Sequence, residues 1–323
     1  MPELVPASLI LTVLNEESSL PAFLDSLSQQ DSLPAEMVIV DGGSRDKTIQ
    51  VIQNWSAPEG LQVNCFKRDG ATISEGRNAA IAASTHDLII ITDGGTTLEQ
   101  GWVKALYGSL ASGNDVASGF FRPAGQVPLQ RIIAAIITPT VDEIDPEKFL
   151  PSSRSVGFRK SWIERVGGYP EWLDYCEDLF LDLQLKRSGA RFEFIPDAVA
   201  TWNARPTLKA FAVQYYRYAR GDAKAGLWPR RHLARYTAYT AGVLALIAAR
   251  RCPAILPLVG TGLVMYLAKY FRRVRRHAGY VKYSQPIANA AVPLVVILGD
   301  VSKMAGYASG KYNRLVKGIP GAH

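Results

Sequence analysis

Several acids in this chain stand at the ends of apolar runs, where a carboxylate can meet a ligand. In LIIITDGGTT, Leu88 to Thr97, an apolar run leads into Asp93, and two glycines strip the next positions of side chains. In VIVDGGSRDKT, Asp41 has the same setting and Asp46 follows it. Such an acid accepts from a base N–H or a ribose hydroxyl, and the glycines let the backbone pass close to a flat ligand. It also suits a strand–turn–helix in which Ser44 or Asp46 caps the helix, and both readings stand. Glu177 and Asp178 open CEDLFLDLQLKRSG. Paired acids there are favoured by the helix dipole. The chemical alternative makes one of them a general base that removes a proton from an acceptor hydroxyl. Arg77 and Asn78, in SEGRNAAIAAS, lie near the start of an alanine-rich helix. Helix N-termini and arginine both suit phosphate, although a solvated helix start explains the segment equally well. Gln214, Arg217 and Tyr218, in QYYRY, share one helix face at spacings of three and four. That face suits a ligand, a lipid surface, or both.

These residues need a frame. Over the first hundred positions strand and helix signals alternate as they do in βαβ units. SLILTVL, EMVIVDGGS, LQVNCFK and DLIIITD read as strands. Between them, Leu20, Phe23, Leu24 and Leu27 recur at helical spacing, SRDKTIQVIQNW begins with a capping serine, and TISEGRNAAIAAS is alanine-rich. Asp41 and Asp93 then fall at C-terminal strand ends, the edge at which open parallel sheets bind ligands. Further on, GWVKALYGSLAS and LQRIIAAIITPTVDE read as helices and DVASGFF as a strand, with no chemistry evident in the second helix. CEDLFLDLQLKRSGARFEFIPDAVATW reads as helix, glycine stop and strand, and LKAFAVQYYRYARGDAKA as an amphipathic helix.

Past residue 230 the composition changes. Apolar runs cover 236–249, 253–268 and 286–299, each short of the roughly 20 residues a spanning helix needs unless its flanks contribute. The basic stretch KYFRRVRRHAGYVK separates the last two and gives a positive-inside signal. The whole chain is 323 residues with net charge +7, 48% hydrophobic and 20% charged, and its mean hydropathy is +0.02. A positive balance concentrated beside apolar runs points to a membrane surface rather than nucleic acid. Arg230, Arg231, Arg272, Arg273, Arg275 and Arg276 would face anionic lipid. Cys65, Cys176 and Cys252 are scattered without C-x-x-C spacing, which argues against structural zinc or a disulfide framework. The N-terminus lacks a basic n-region and meets Asn15, Glu16 and Glu17 too early for a signal peptide. VLNEESS also lacks the glycine-rich basic loop that a nucleotidyltransferase would want after its first strand.

Taken in order, LTVLNEE, VIVDGGSRDKT, EGRNAAI, IIITDGGTT, VGGYPE, CEDLFLDLQLKRSG and QYYRY resemble the family 2 inverting glycosyltransferases. The resemblance covers roughly Leu4 to Ala223. It implies an α/β fold of GT-A type, a Rossmann-like and mostly parallel sheet, over 1–228. A membrane-associated region of two or three hydrophobic helices would follow over 229–323. It implies that Asn15 and Glu16 lie beside the nucleotide, that Asp41 holds the uracil or guanine edge, and that Asp46 belongs to the same donor site. Arg77 would approach the diphosphate, and Asp93 would be the first acid of the D-x-D motif, against ribose and metal. Asp178 would be the base, with Glu177 orienting it. Gln214, Arg217 and Tyr218 would close over the leaving group.

The sequence departs from that family at two points. Gly95 stands where the second acid of the motif falls, and Asn203 where many members carry a metal-reaching histidine. The expectation is therefore a divalent cation, Mg2+ or Mn2+, held by Asp93 and the substrate, with Arg205, Arg217 or Arg220 sharing the leaving-group charge. The implied partners are a UDP- or GDP-sugar donor, a lipid-linked or polysaccharide acceptor and membrane lipids, at a cell inner membrane with the catalytic part cytoplasmic. Two other readings are a polyprenyl-phosphate sugar synthase and an inactive nucleotide-sugar-binding scaffold.

Overall fold

The computed structural model describes residues 2–317, so the last six positions of the expected 229–323 region lie outside it. Two compact units are present. The first comprises the described part of Met1–Arg122 and Val141–Trp202, and the second comprises Pro123–Thr140 and the described part of Asn203–His323.

The first unit follows the βαβ pattern read from the sequence. Strand β1 (Glu3–Val13) is followed by α1 (Leu20–Ser28), β2 (Ser32–Asp41), α2 (Thr48–Asn54), β3 (Gln62–Lys67), α3 (Ile73–Ala83) and β4 (Leu88–Asp93). Then come β5 (Thr96–Leu98), α4 (Trp102–Ala111) and β6 (Val116–Ala124). After α5 (Pro128–Ile137), which belongs to the second unit, the chain adds β7 (Val156–Arg159), α6 (Lys160–Arg165), α7 (Glu177–Arg187) and β8 (Phe192–Asn203). The eight strands form one sheet in the order β3-β2-β1-β4-β7-β6-β8-β5. Strands β3, β2, β1 and β4 run parallel; β2, β1 and β4 carry the near-continuous apolar runs of strands covered on both faces, whereas β3 is an exposed edge strand. The second half is different: β7 is antiparallel to both β4 and β6, and β5 is antiparallel to β8. The sheet is therefore mixed.

Two sequence features place α3 against this sheet. Thr72 and Glu75 form a reciprocal capping box that fixes where the helix begins. Gly76 then lets the helix approach β1, since a Cβ there would stand 3.0 Å from the Thr12 methyl. The core on one face is built from Leu9, Leu11, Phe23, Leu27, Ile39 and Trp102, all buried.

The second unit is helical. It contains α5, α8 (Leu208–Lys224), α9 (Pro229–Ala249), α10 (Leu256–His277) and α11 (Gln285–Lys317). The amphipathic α8 packs along α11, where Gly306 and Gly310 leave room for its carbonyls. A Cβ on Gly306 would overlap the Tyr216 carbonyl oxygen, and one on Gly310 the Arg220 carbonyl oxygen. The apolar α5 is sealed by the basic end of α10. Arg273 donates to the carbonyls of Ile136 and Ile137 at 3.4 and 3.3 Å, and the His277 imidazole lies 3.0 Å from the Thr138 carbonyl. This corrects one expectation: Arg273 caps a buried helix end instead of facing lipid, whereas Arg272, Arg275 and Arg276 remain exposed.

Two helices are long and apolar enough to cross a membrane, Pro253–His277 and Gln285–Val316. Only 6% of the apolar window in the first is covered by protein. Leu258 and Met265 are 75% and 74% exposed, which is not how a soluble core helix is arranged. The earlier apolar run, 236–249, lies in α9 and does not meet the same length and hydropathy requirement.

Candidate active site

Strand register brings the two strand-end acids to one rim. In the β1 pairings, Val13 lies opposite Asp41 of β2 and Thr12 opposite Asp93 of β4. The two acids thus flank the end of one central strand, about 10 Å apart at the backbone by strand spacing. The loops that follow are laced together. Asn15, in the left-handed region at φ 56°, donates its N–H to Ser44 Oγ at 2.9 Å and accepts from the Arg45 N–H at 2.9 Å. Glu16 N–H donates to Thr48 Oγ1 at 2.8 Å, and Glu17 N–H to Asp46 Oδ2 at 3.1 Å. Asp46 also accepts from the Thr48 N–H and hydroxyl, so its carboxylate latches two loops. Asp41 is fully buried and accepts from the Gly43 and Ser44 N–H groups and the Ser44 hydroxyl. The local turn role and the rim position therefore coincide in Asp41.

Arg77 joins the rim to the paired acids. Its side chain is 3% exposed, one nitrogen donates to Glu177 Oε1 at 2.9 Å, and the other donates to Asp93 Oδ1 at 2.9 Å. The Tyr169 ring lies 5.1 Å from the guanidinium carbon. Arg77, expected to approach a diphosphate, fixes Asp93 and the start of α7 within the width of one guanidinium. Sequence spacing could not show this, because 100 positions separate Arg77 from Glu177. Asn78 secures the neighbouring loop by donating to the Tyr169 carbonyl at 2.9 Å and accepting from its N–H at 2.8 Å. Gly168, at φ 78°, is required there because a Cβ would stand 2.7 Å from Asn78 Oδ1.

Burial and the adjacent charge of Asp178 push the Glu177 carboxyl up to about 6, against the opposing pull of Arg77. Asp178 is half-buried, and its Oδ1 accepts from the Leu179 N–H at 2.8 Å. One turn further, Asp182 is fully buried with Oδ2 unpartnered, and burial with the charge of Asp178 raises its pKa well above the ordinary carboxylate value. The letters of α7 do not show which of its polar residues is buried, so Asp182 stayed hidden in the sequence.

Arg154 was also missed. Continuing the antiparallel β4–β7 register beyond Ile91 and Val156 sets Arg154 opposite Asp93, and Thr92 Oγ1 donates to the Arg154 carbonyl at 2.8 Å. Its guanidinium lies 3.8 Å from Asp93 Oδ2 and stacks over Trp202. Its signal was the strand pairing, which the letters do not display.

Among the described residues no cluster of three or more His, Cys, Asp or Glu could hold a metal ion. A Cβ built on Gly95 would stand 3.9 Å from Glu16 Oε2, so the carboxylate of Glu16 occupies space near the missing acid. Asp93 and Glu16 thus border the Gly94–Gly95 turn, with Asp93 already engaged by Arg77 and facing Arg154.

The remaining site candidates lie in the second unit. Gln214 Nε2 donates to the Tyr218 hydroxyl at 2.8 Å, as their i, i+4 spacing implies, and Gln214 Oε1 is buried without a partner. Arg217 is exposed on the same helix.

A mixed sheet with acids along one rim, an acid pair at a helix start and a buried arginine linking them define a glycosyltransferase of GT-A fold. The chain belongs to the glycosyl transferases of families 2 and 21: the family 2 model matches residues 8–166 and the family 21 model residues 150–317. It is 25% identical over 232 residues to the succinoglycan biosynthesis protein ExoA of Rhizobium meliloti, covering 67% of this chain and 68% of that protein. It is 23% identical over 208 residues to the O-antigen chain rhamnosyltransferase RfbN of Salmonella typhimurium, covering 59% of this chain and 64% of that one. In structure it resembles the mannosyltransferase PcManGT of Pyrobaculum calidifontis, solved with GDP-Man and Mn2+. There the TM-score is 0.54 at 16% identity, over 96% of this chain and 87% of that one. It also resembles S. aureus TarS 1-349, with a TM-score of 0.51 at 16% identity, over 97% of this chain and 92% of that one.

Proposed function

We propose that this glycosyltransferase works at a membrane, moving a sugar from a UDP- or GDP-sugar to a lipid-linked or polysaccharide acceptor with inversion. The observation that carries the reading is the Arg77 bridge, which holds the start of α7 against the strand-end Asp93. Asp178, adjoining that bridge and half-buried, takes the proton of an acceptor hydroxyl as its oxygen bonds to the anomeric carbon. The bond from that carbon to the diphosphate breaks, and its electron pair leaves with the nucleoside diphosphate. One displacement inverts the centre. Glu177, fixed by Arg77, positions its neighbour, while Asn15, Glu16, Asp41 and Asp46 shape the nucleotide rim. Asp93 and Glu16 would hold a divalent cation, which when bound neutralises charge on the diphosphate. Arg154 brings a fixed positive charge to the same acid. Gln214, Arg217 and Tyr218 serve the leaving group in this reading. Residues 1–228 act as the catalytic part, and 229–323 attach it to a cell inner membrane with the catalytic side in the cytoplasm. The uncovered apolar faces of α10 and α11 support that attachment.

The test is Asp178→Asn in full-length protein supplied with UDP- and GDP-sugars and a lipid-linked acceptor. Transfer should drop by about two to four orders of magnitude while donor binding persists. Transfer near the wild-type rate would remove the base assignment.

A further inference from the structure

The rim acid Asp93 has an arginine at each carboxylate oxygen. Arg77 donates to Oδ1 at 2.9 Å, and the Arg154 guanidinium stands 3.8 Å from Oδ2. The two arginines differ in access. The Arg77 side chain is 3% exposed and its terminal nitrogens donate to Asp93 and Glu177, whereas the Arg154 side chain is 20% exposed. A ligand arriving at the rim can therefore touch Arg154 and not Arg77.

Arg154 is also held in place. Its carbonyl accepts from Thr92 Oγ1 at 2.8 Å, which ties it to the residue just before Asp93. The Thr92 hydroxyl lies 2.9 Å from that of Thr96, and Thr96 donates to the Asp93 carbonyl at 2.8 Å. The turn through Gly94 and Gly95 is thus fixed to the same anchor. At the other end of the side chain, Nη1 donates to Ser152 Oγ at 2.9 Å, and the Trp202 ring lies 4.8 Å from the guanidinium carbon. A planar cation braced by a ring and a serine has little freedom left to lose when a ligand binds.

The group it meets follows from the bond that breaks. In the transfer reading above, the anomeric carbon sits where Asp178 can take the acceptor proton. That carbon is one oxygen away from the β-phosphorus of the donor. Arg77 joins Glu177, the neighbour of Asp178, to Asp93 through a single guanidinium. The β-phosphate then lies along the edge between Asp93 and the start of α7, and Arg154 is the exposed cation on that acid. A guanidinium fork matches two phosphate oxygens and stays protonated throughout.

We propose that Arg154 is a catalytic residue that binds the β-phosphate of the donor and stabilises the charge this group gains on leaving. As the bond from the anomeric carbon to the diphosphate oxygen breaks, its electron pair stays with that oxygen. Arg154 donates hydrogen bonds to the phosphate, and no proton leaves the arginine, since the acceptor proton goes to Asp178. Asp93 and Trp202 orient the guanidinium before the donor arrives, which is the arrangement that stabilises developing charge without reorganisation. The assignment rests on the transfer reading and adds to it a fixed group from the first unit that receives the leaving charge.

The experiment is calorimetric titration of full-length protein in detergent with UDP, UMP, GDP and GMP, in EDTA so that no bound cation contributes. Wild type should bind the diphosphate of its preferred base about tenfold more tightly than the monophosphate, the size of one charge-assisted contact. In Arg154→Gln the monophosphate affinity should persist and the preference should fall to near unity. Arg154→Lys, which keeps the charge but not the fork, should lie between them. Sugar transfer by Arg154→Gln should drop about a hundredfold. A preference that survives in Arg154→Gln overturns the assignment. So does an equal loss of both affinities, which would make Arg154 a support for Asp93 alone. Where Arg154→Gln does not fold, Trp202→Leu removes the stacked ring and leaves the guanidinium, and an undiminished preference there also overturns it. Wild type that binds mono- and diphosphate equally refutes the Arg154 assignment only. Wild type that binds none of the four nucleotides refutes the donor reading itself, and this assignment with it.

Discussion

Replacing Arg77 by methionine tests whether one buried guanidinium assembles this site. The arginine is 3% exposed and donates to Asp93 and Glu177, both at 2.9 Å. Methionine fills similar volume but leaves two carboxylates facing each other without the charge between them. Breaking a buried pair by removing one partner costs about 3–5 kcal/mol. For a domain of this size that corresponds to a melting point lower by about 10 °C. The consequence reaches the chemistry as well, because the charge of Arg77 opposes the rise of the Glu177 carboxyl to about 6. Without it the carboxyl climbs further and the acid pair carries a proton at neutral pH. Arg77→Lys retains the charge but cannot reach both partners as a fork, so it should fall between wild type and Arg77→Met. The assays are thermal unfolding of full-length protein in detergent and titration with UDP and GDP. Stability within 1 kcal/mol of wild type, together with unchanged nucleotide affinity, would refute the keystone role.

Glu177 also predicts a pH dependence. Its folded value of about 6 exceeds the ordinary 4.5, so the native state holds the proton more tightly. Stability from this group is therefore full below about pH 4.5 and is lost as pH rises through about 6, by roughly 2 kcal/mol. Glu177→Gln should flatten that slope in unfolding measured across the same range, and an unchanged slope would exclude Glu177 as its source. Gly306→Ala should destabilise the second unit by about 1–3 kcal/mol because its methyl meets the Tyr216 carbonyl. Gly242→Ala, with open space around it, should be neutral or stabilising by up to about 1 kcal/mol, and equal melting points for the two would contradict the packing. For the cation, paramagnetic resonance of Mn2+ titrated with UDP should show binding about tenfold weaker in Glu16→Gln, and identical titrations would separate Glu16 from the metal.

What the letters revealed and concealed follows from the range of the interactions. The parallel strands were legible because burial on both faces writes continuous apolar runs, as in LIIIT and MVIV, and strand-end acids then fall at one rim by topology alone. Helix α3 announced its own start through Thr72 and Glu75, three residues apart. Beyond residue 141 the strand pairing was not legible, and pairing is what sets Arg154 opposite Asp93. Arg77, near a helix start, suits phosphate or a solvated surface equally well in the sequence. Its fate was decided by Glu177, which only the folded chain brings near. The same blindness affected the C-terminal basic run. KYFRRVRRH reads uniformly as a lipid-facing cluster, yet Arg273 and His277 turn inward to cap α5, whose own apolar sequence showed no chemistry. Charge counted along a sequence therefore overstates how much faces a membrane, because some cations serve buried carbonyls. The converse holds for Asp300 and Lys303. In the sequence they interrupt an apolar run and weaken the case for a spanning helix, whereas in the fold they meet Arg235, Tyr239 and Tyr266 from two other helices. An interruption that three helices agree to surround is better understood as a built site than as a flaw in a membrane segment.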